Sequence, residues 1–241
     1  QLQLRFSFKP LISDNFYLNI LTRSIFGCFL SELNLETSMP LTKLAHRYSS
    51  IVLIAFTISH LLIHMTAIFG IEVHLRALSS VNWIYRNPIG EAVLILAILI
   101  QIASGFIRLF VKKFRRWAAL QTISGIYLLI FLFAHTSAAT FTHWFYGMET
   151  NFYWAAGSLA YAPLKYGFMV YYFAAIMAFF VHIAAAVRFG WPVRSKRLVQ
   201  ILPIVGVIVS VTILSSFAGA FYDISIPDNV AAYYQAFFGM P

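Results

Sequence analysis

The sequence predicts an all-α polytopic membrane protein, a bundle of five transmembrane helices. Of its 241 residues, 61% are apolar and only 10% are charged, whereas a soluble domain carries about 25% charged residues to solvate its surface. Five segments reach the roughly 20 mostly apolar residues that a membrane-spanning helix requires. A water-soluble fold is therefore excluded, and membrane lipid is the expected environment of the chain.

The ends of the predicted spans have recognisable signals. Pro88 opens the second span, where its missing N–H costs nothing, and Gly70 and Gly190 end the first and the fourth. The segment 150–164 is expected to form a loop at the membrane surface. The five spans are expected at 44–69, 88–111, 117–143, 165–189 and 198–221, with an arm (1–43) before the spanning domain (44–221) and a tail (222–241) after it.

The positions of the basic residues predict the orientation. Of the 17 Lys and Arg residues, 14 lie before or at the start of the first span, between the second and third, or between the fourth and fifth. Cytoplasmic loops of membrane proteins carry such an excess, so the N-terminus and the arm are expected inside and the tail outside. The net charge of +9 is then an orientation signal, and nucleic acid is not an expected partner.

Cysteine usage narrows the chemistry of the chain. The only cysteine is Cys28, which excludes a disulfide framework, a cysteine zinc site and an iron–sulfur cluster held by this chain alone. The start of the sequence does not have the pattern of a secretory signal peptide. Residues 1–38 differ in composition from the spans, and an amphipathic surface arm is one interpretation of them.

Histidines inside the predicted spans are the first functional candidates, because ionisable groups in a bilayer are costly. His60 and His135 lie 16 and 18 residues after the inner starts of the first and third spans. At about 1.5 Å per residue, both are about 24–27 Å from the inner surface. Two imidazoles at one depth on two helices are what bis-imidazole ligation of haem iron requires. The other spans hold His182, and His64 follows His60 by one turn.

Two alternatives to haem remain open for these histidines. Each imidazole alone could form a hydrogen bond to a neighbouring helix. Zinc is disfavoured because it takes three or four ligands, commonly with carboxylate or thiolate. His46 and His143 lie near helix ends, and His74 is expected in a loop.

The first and third spans also resemble each other. His46-Arg47-Tyr48-Ser49-Ser50 precedes His60 at the same spacing as Gln121-Thr122-Ile123-Ser124-Gly125 precedes His135, at an offset of 75 residues. Each segment has a serine followed by a small residue, which permits close approach of a helix or a flat macrocycle. The repeat supports a shared role for the two histidines.

These features together resemble a known family. They are the five spans, the segment 120–125 followed by His135, and His182 and Arg188 followed by Trp191-Pro192-Val193-Arg194-Ser195. In these features the chain resembles the cytochrome b membrane anchor of succinate:quinone oxidoreductases and fumarate reductases (respiratory complex II), of the single-chain, five-helix type. The resemblance covers about residues 42–220. The order of the motifs along five helices carries it more than any single motif.

The resemblance implies the cofactors and their ligands. The family binds two b-type haems through four histidines. The iron of the outer haem is held by one histidine of the first span and one of the third, and these match His60 and His135. The inner one uses the second and fourth spans, and His182 matches the fourth. At the second span Gln101 stands where the family has histidine, and a neutral amide oxygen is a poor iron ligand. One haem b is therefore expected. A second stays open: it is absent, five-coordinate through His182, or ligated by another residue such as His46.

The remaining candidates are contacts to a haem propionate or to a quinone. His64 is either an alternative ligand or such a contact, and Arg47 and Arg188 at inner helix ends either pair with propionates or are ordinary interfacial residues. Glu91 matches an acid that helps the family take protons from quinol, or it caps its helix. The full set of expected contacts is His46, Arg47, His64, Glu91, Gln101, Ser124 and Arg188.

The implied function is that of an electron-carrying anchor subunit without catalytic residues of its own. It would pass electrons between a membrane quinone and a flavoprotein and iron–sulfur subunit pair docked on the inner face, in a bacterial cytoplasmic or mitochondrial inner membrane. Flavin and iron–sulfur clusters would belong to those partners. Two alternatives are a structural subunit that has lost part or all of its haem, and a haem b anchor of another dehydrogenase.

Overall fold

The computed structural model describes residues 35–109, 116–190 and 196–239. The arm before residue 35, most of the loop between the second and third spans, and the segment 191–195 lie outside the described residues. The chain divides into two units, 1–44 and 45–241. The described residues are helical, with turns between the helices and no strand.

Five helices are long and apolar enough to cross a membrane, which confirms the predicted fold class. Since successive spans run in opposite directions, the first, third and fifth end where the second and fourth begin. We call this the cap end of the bundle and the opposite side the base end. The candidate spans are Leu41–Phe69, Pro88–Leu109, Ala119–Tyr146, Leu164–Phe189 and Lys196–Phe217.

Eight α-helices and one 3-10 helix make up the described chain. Helix α1 is followed directly by the 3-10 helix Thr66–Phe69, and Gly70, at φ 114°, ends this first span as predicted. The α-helices are α1 Leu35–Met65, α2 Ile71–Tyr85, α3 Pro88–Leu109, α4 Arg116–Tyr146, α5 Phe152–Gly157, α6 Leu164–Gly190, α7 Lys196–Phe217 and α8 Asp228–Phe238.

Three of these helices were not predicted, and all three lie at the cap end. The expectation that His74 lies in a loop is wrong, because α2 contains it. The sequence of α2 is amphipathic, with Ile71 and Leu75 on one face and Glu72 and Arg76 on the other, a spacing typical of a surface helix.

The predicted loop 150–164 is wrong in part, since it contains α5. The side chain of Asn151 accepts a hydrogen bond from the N–H of Tyr153 and caps the helix start, which is a favoured arrangement at an N-cap. The predicted tail contains α8, which follows Pro227 and ends at Gly239 in the left-handed conformation.

Among the described residues, the most extensive contact between two spans joins α6 and α7. In the most apolar part of α6, 33% of the residues are buried, against 6% in α4. Gly206 of α7 lies against Phe180 of α6 so closely that a Cβ on the glycine would stand 3.0 Å from the Cβ of Phe180. A small residue at this point is what lets two helices approach in a membrane.

A buried apolar cluster closes the cap end over the spans. The ring of Phe152 from α5 is stacked on that of Phe217 from α7, with centroids 4.6 Å apart. Tyr222 donates a hydrogen bond to the carbonyl oxygen of Ala67 at 2.6 Å, which ties the chain after α7 to the end of the first span. The cap end is therefore a packed lid of short helices.

We expect Gly206→Leu to destabilise the protein by about 1–3 kcal/mol, because overpacking a close contact forces side chains and backbone to shift. Val207→Leu is the matched control, since Val207 is exposed on the same helix. Thermal unfolding of the two purified variants in detergent measures the difference. Equal melting temperatures would contradict a close α6–α7 contact at residue 206.

Candidate functional site

Four histidines meet at the cap end of the bundle. His60 and His64 lie one turn apart on α1, His74 comes from α2 and His135 from α4. The ring centroids are 4.3 Å apart for His60 and His64, 5.3 Å for His64 and His74, and 6.3 Å for His60 and His135. We call these four residues the histidine cluster.

The spacing of His60 and His135 fits two ligands of one iron. Imidazole nitrogens bind a metal at about 2 Å, and the ring centre lies about 1 Å further on, so two rings on opposite sides of one iron have centroids about 6 Å apart. The observed separation is 6.3 Å. In distance, the two imidazoles therefore fit the axial ligands of one haem iron.

Each of these two rings is supported by a phenylalanine one turn earlier on its own helix. Phe56 is stacked on His60, with centroids 5.5 Å apart and planes at 21°. Phe131 is stacked on His135, at 5.1 Å and 10°. The 75-residue repeat thus includes the residue that orients each ring, and it gives both histidines the same local support.

Hydrogen bonds connect the other two histidines to His60. The Nδ1 atom of His64 is 3.1 Å from Nε2 of His74, and its Nε2 atom is 3.1 Å from Nε2 of His60. Because neutral imidazole has one donor and one acceptor, His64 donates to one neighbour and accepts from the other. Within the described residues, no three potential ligands converge as one metal site.

His74 is fully buried under the cap. Its ring contacts Phe152 and Phe217 at centroid distances of 5.4 Å. It lies outside the membrane-spanning segments, and burial lowers its pKa to about 4. His74 is therefore neutral at physiological pH and can serve as a hydrogen-bonding group without introducing a charge.

The short helix α5 covers the other side of the cluster. The ring of Trp154 lies 6.2 Å from that of His135, and Tyr172 of α6 lies 6.4 Å from it. Two buried nitrogens here have no hydrogen-bond partner, Nε1 of Trp154 and Nδ1 of His74. Buried polar atoms are seldom left unpaired in native proteins, so both indicate a place for a ligand or an ordered water.

A second polar network lies at the base end, between α1 and α3. The hydroxyl of Ser104 donates to the carbonyl of Ile100 at 2.6 Å, so its oxygen accepts from Nδ1–H of His46 at 3.0 Å. The amide nitrogen of Gln101 donates to Nε2 of His46 at 3.2 Å, and the amide oxygen accepts from Ser49 at 2.6 Å. The Gln101 side chain is therefore directed at α1.

The same arrangement recurs between α4 and α6. The hydroxyl of Ser124 donates to Leu120 at 2.7 Å, and Nδ1 of His182 lies 3.2 Å from its oxygen and 3.1 Å from the carbonyl oxygen of Gln121. A carbonyl oxygen only accepts, so Nδ1 of His182 carries the proton and Nε2 carries the lone pair. Histidines that bind a metal commonly donate their other N–H in this way.

One motif produces both networks. Gln101-Ile102-Ala103-Ser104-Gly105 in α3 repeats the Gln-x-x-Ser-Gly pattern of residues 121–125 in α4. In each copy a histidine from the neighbouring helix bonds to the serine, and its Cε1 atom lies over the glycine. The distance from that atom to a Cβ built on the glycine is 3.6 Å for Gly105 and 3.1 Å for Gly125.

Of the predicted site residues, the structure brings together His60, His64 and His135 at the cap end. It places His46 with Gln101, and His182 with Ser124, in separate networks at the base end. Arg47 and Arg188 are exposed, and Glu91 is half-buried in the first turn of α3.

The sequence reasoning missed His74, Trp154 and the two stacking phenylalanines. A comparison of the repeats beyond their serines would have found Phe56 and Phe131, because each precedes its histidine by four residues. The amphipathic pattern of α2 was a signal for a helix at His74. No local signal placed Trp154 beside His135, since that contact depends on how α5 folds back over the spans.

No family model, no curated protein and no solved structure matches the chain.

We expect the substitutions Gly105→Ala and Gly125→Ala to change the melting temperature in opposite directions. Alanine in a helix interior is favoured over glycine by roughly 0.5–1 kcal/mol, so Gly105→Ala should keep or raise the melting temperature. Gly125→Ala should lower it, because the new Cβ would press on His182, which two acceptors hold in place. Thermal unfolding in detergent measures both, and an equal effect would contradict the tighter contact at Gly125.

Proposed function

We propose that the chain is a haem b-binding membrane anchor that passes electrons between a soluble dehydrogenase and a membrane quinone. The observation that carries the proposal is the pair His60 and His135, 6.3 Å apart between ring centroids and each stacked on a phenylalanine. The resemblance to the anchor of succinate:quinone oxidoreductases and fumarate reductases supplies the type of complex.

In this proposal the two histidines hold the iron of one haem b. Bound haem supplies one-electron redox chemistry, tuned by its axial ligands and its burial. Phe56 and Phe131 fix the ring planes of the ligands, and the packed cap limits the access of water to them. His64 stays outside the iron coordination and, with His74, provides hydrogen-bonding groups next to the site.

A single haem is the proposed content. Gln101 of the second span, which would have to oppose His182 at a second iron, is bonded to His46 and Ser49. An amide oxygen is also a weak ligand for iron. In this proposal, the base-end networks serve as interhelical hydrogen bonds that hold pairs of helices together.

Orientation and partners follow from the charge distribution. The proposed inside is the base end, where 14 of the 17 basic residues lie along the sequence. Flavoprotein and iron–sulfur subunits would dock there, and the quinone would meet the cap end, on the outer side. The membrane would be the bacterial cytoplasmic or the mitochondrial inner membrane.

Reduced-minus-oxidised spectra of the purified chain test the haem. We expect about one low-spin b-type haem, lost in His60→Ala and in His135→Ala because each leaves the other ligand without a partner. His64→Ala is the matched control on the same helix and should largely keep the spectrum. Gln101→His tests the second site: a second haem would show that a histidine at this position of the second span can oppose His182. Loss of the spectrum in His64→Ala but not in His60→Ala would mean that His64 is the ligand.

Cysteine labelling tests the orientation. In a Cys28→Ser background, Glu149→Cys should react with an impermeant reagent added from outside, since Glu149 is exposed at the cap end. Lys113→Cys should react only after the membrane is opened. The reverse result would invert the proposed topology.

A structural subunit without haem is the second candidate. Its specific support is Gln101, which forms hydrogen bonds with His46 and Ser49. At this position of the second span, the resemblance implies a histidine that binds haem iron. Absence of any haem from the purified, folded chain would favour this candidate over the first.

A further inference from the structure

The indole of Trp154 is a buried donor that the protein itself does not use. The residue is 7% exposed, and its Nε1 atom has no hydrogen-bond partner. The backbone of the same residue is paired, since Tyr234 donates to its carbonyl oxygen at 2.6 Å. The helix that carries Trp154 is therefore held in place, while its side-chain N–H is left for another group.

The position of α5 brings this donor to the histidine cluster. Phe152 contacts His74 at 5.4 Å, and Trp154, two residues later, lies 6.2 Å from His135. The cluster continues from His74 through His64 and His60 back to His135. These side chains form a closed ring of contacts. Of the three buried side-chain nitrogens without a hydrogen-bond partner among the described residues, Nδ1 of His74 and Nε1 of Trp154 belong to this ring, and the third is Nδ1 of His143.

The chemistry of the surroundings defines the ligand. An indole N–H only donates, so the ligand must present an acceptor atom. The neighbouring rings of Phe131, His135 and Tyr172 suit a flat, largely apolar molecule. Trp154 also packs in an apolar cluster with Val230, where a neutral carbonyl oxygen is far less costly to bury than a carboxylate.

We propose that Trp154 donates its indole N–H to a carbonyl oxygen of a quinone head group bound beside His135. The proposal rests on the proposed function and adds the residue that orients the quinone at the cap end. Trp154 is thereby a binding residue of this chain, supplied by a short helix outside the spans.

Equilibrium binding of a short-chain naphthoquinone and a short-chain benzoquinone to the purified full chain, with its haem, tests the proposal. Trp154→Phe keeps an aromatic ring but removes the N–H, and we expect affinity for the bound quinone to fall about tenfold with an unchanged haem spectrum. Trp144→Phe is the matched control, since Trp144 is exposed at the same end, and it should bind quinone like the unaltered protein.

Each other outcome has a distinct meaning. Unchanged quinone affinity in Trp154→Phe overturns the proposal, and it leaves the proposed function standing if the unaltered chain holds haem and binds quinone. Loss of haem from Trp154→Phe with intact quinone binding would assign the N–H to a haem propionate and would also overturn it. Absence of haem from the unaltered chain would instead defeat the proposed function.

A measurement on the unaltered protein covers the case in which Trp154→Phe does not fold. A photoreactive azidoquinone should label α5, or α4 near His135, and excess unlabelled quinone should suppress that labelling. Labelling confined to other helices would overturn the proposal.

Discussion

The need to pair every polar group inside a bilayer determines how the side chains of this bundle are arranged. Lipid offers no hydrogen bonds, so an imidazole within a span must find a partner in the protein or in a ligand. His46 and His182 are paired with serines and a backbone carbonyl at the base end. At the cap end, His60, His64 and His74 are bonded to one another.

The histidines at the two ends of the bundle are held differently, because the residues that contact them differ. At the base end a Gln-x-x-Ser-Gly segment supplies both a hydroxyl and a glycine, and the ring is bonded and lies against the partner helix. At the cap end the first and third spans supply phenylalanine one turn before each histidine. Stacking fixes the plane of each of these rings, and the one side-chain hydrogen bond of the two rings among the described residues joins His60 to His64, not to a serine of a neighbouring span.

The short helices of the cap give the site its enclosure. Gly70 turns the chain sharply after the first span, so that α2 can return His74 to the level of His64. Asn151 starts α5, which brings Phe152 and Trp154 over the same cluster. Tyr234 of α8 then fixes α5 through the carbonyl of Trp154. Sequence segments far apart in the chain thus close one side of the histidine cluster.

The sequence by itself determined the number of spans, their approximate limits and the common depth of His60 and His135. These follow from quantities that are local along the chain, namely apolar length, the rise of a helix and the spacing of a repeat. Only the tertiary structure decided that His74 and Trp154 join the cluster and that Gln101 bonds to His46. Those contacts depend on how helices rotate and how short helices fold back, which side-chain packing sets and residue spacing does not.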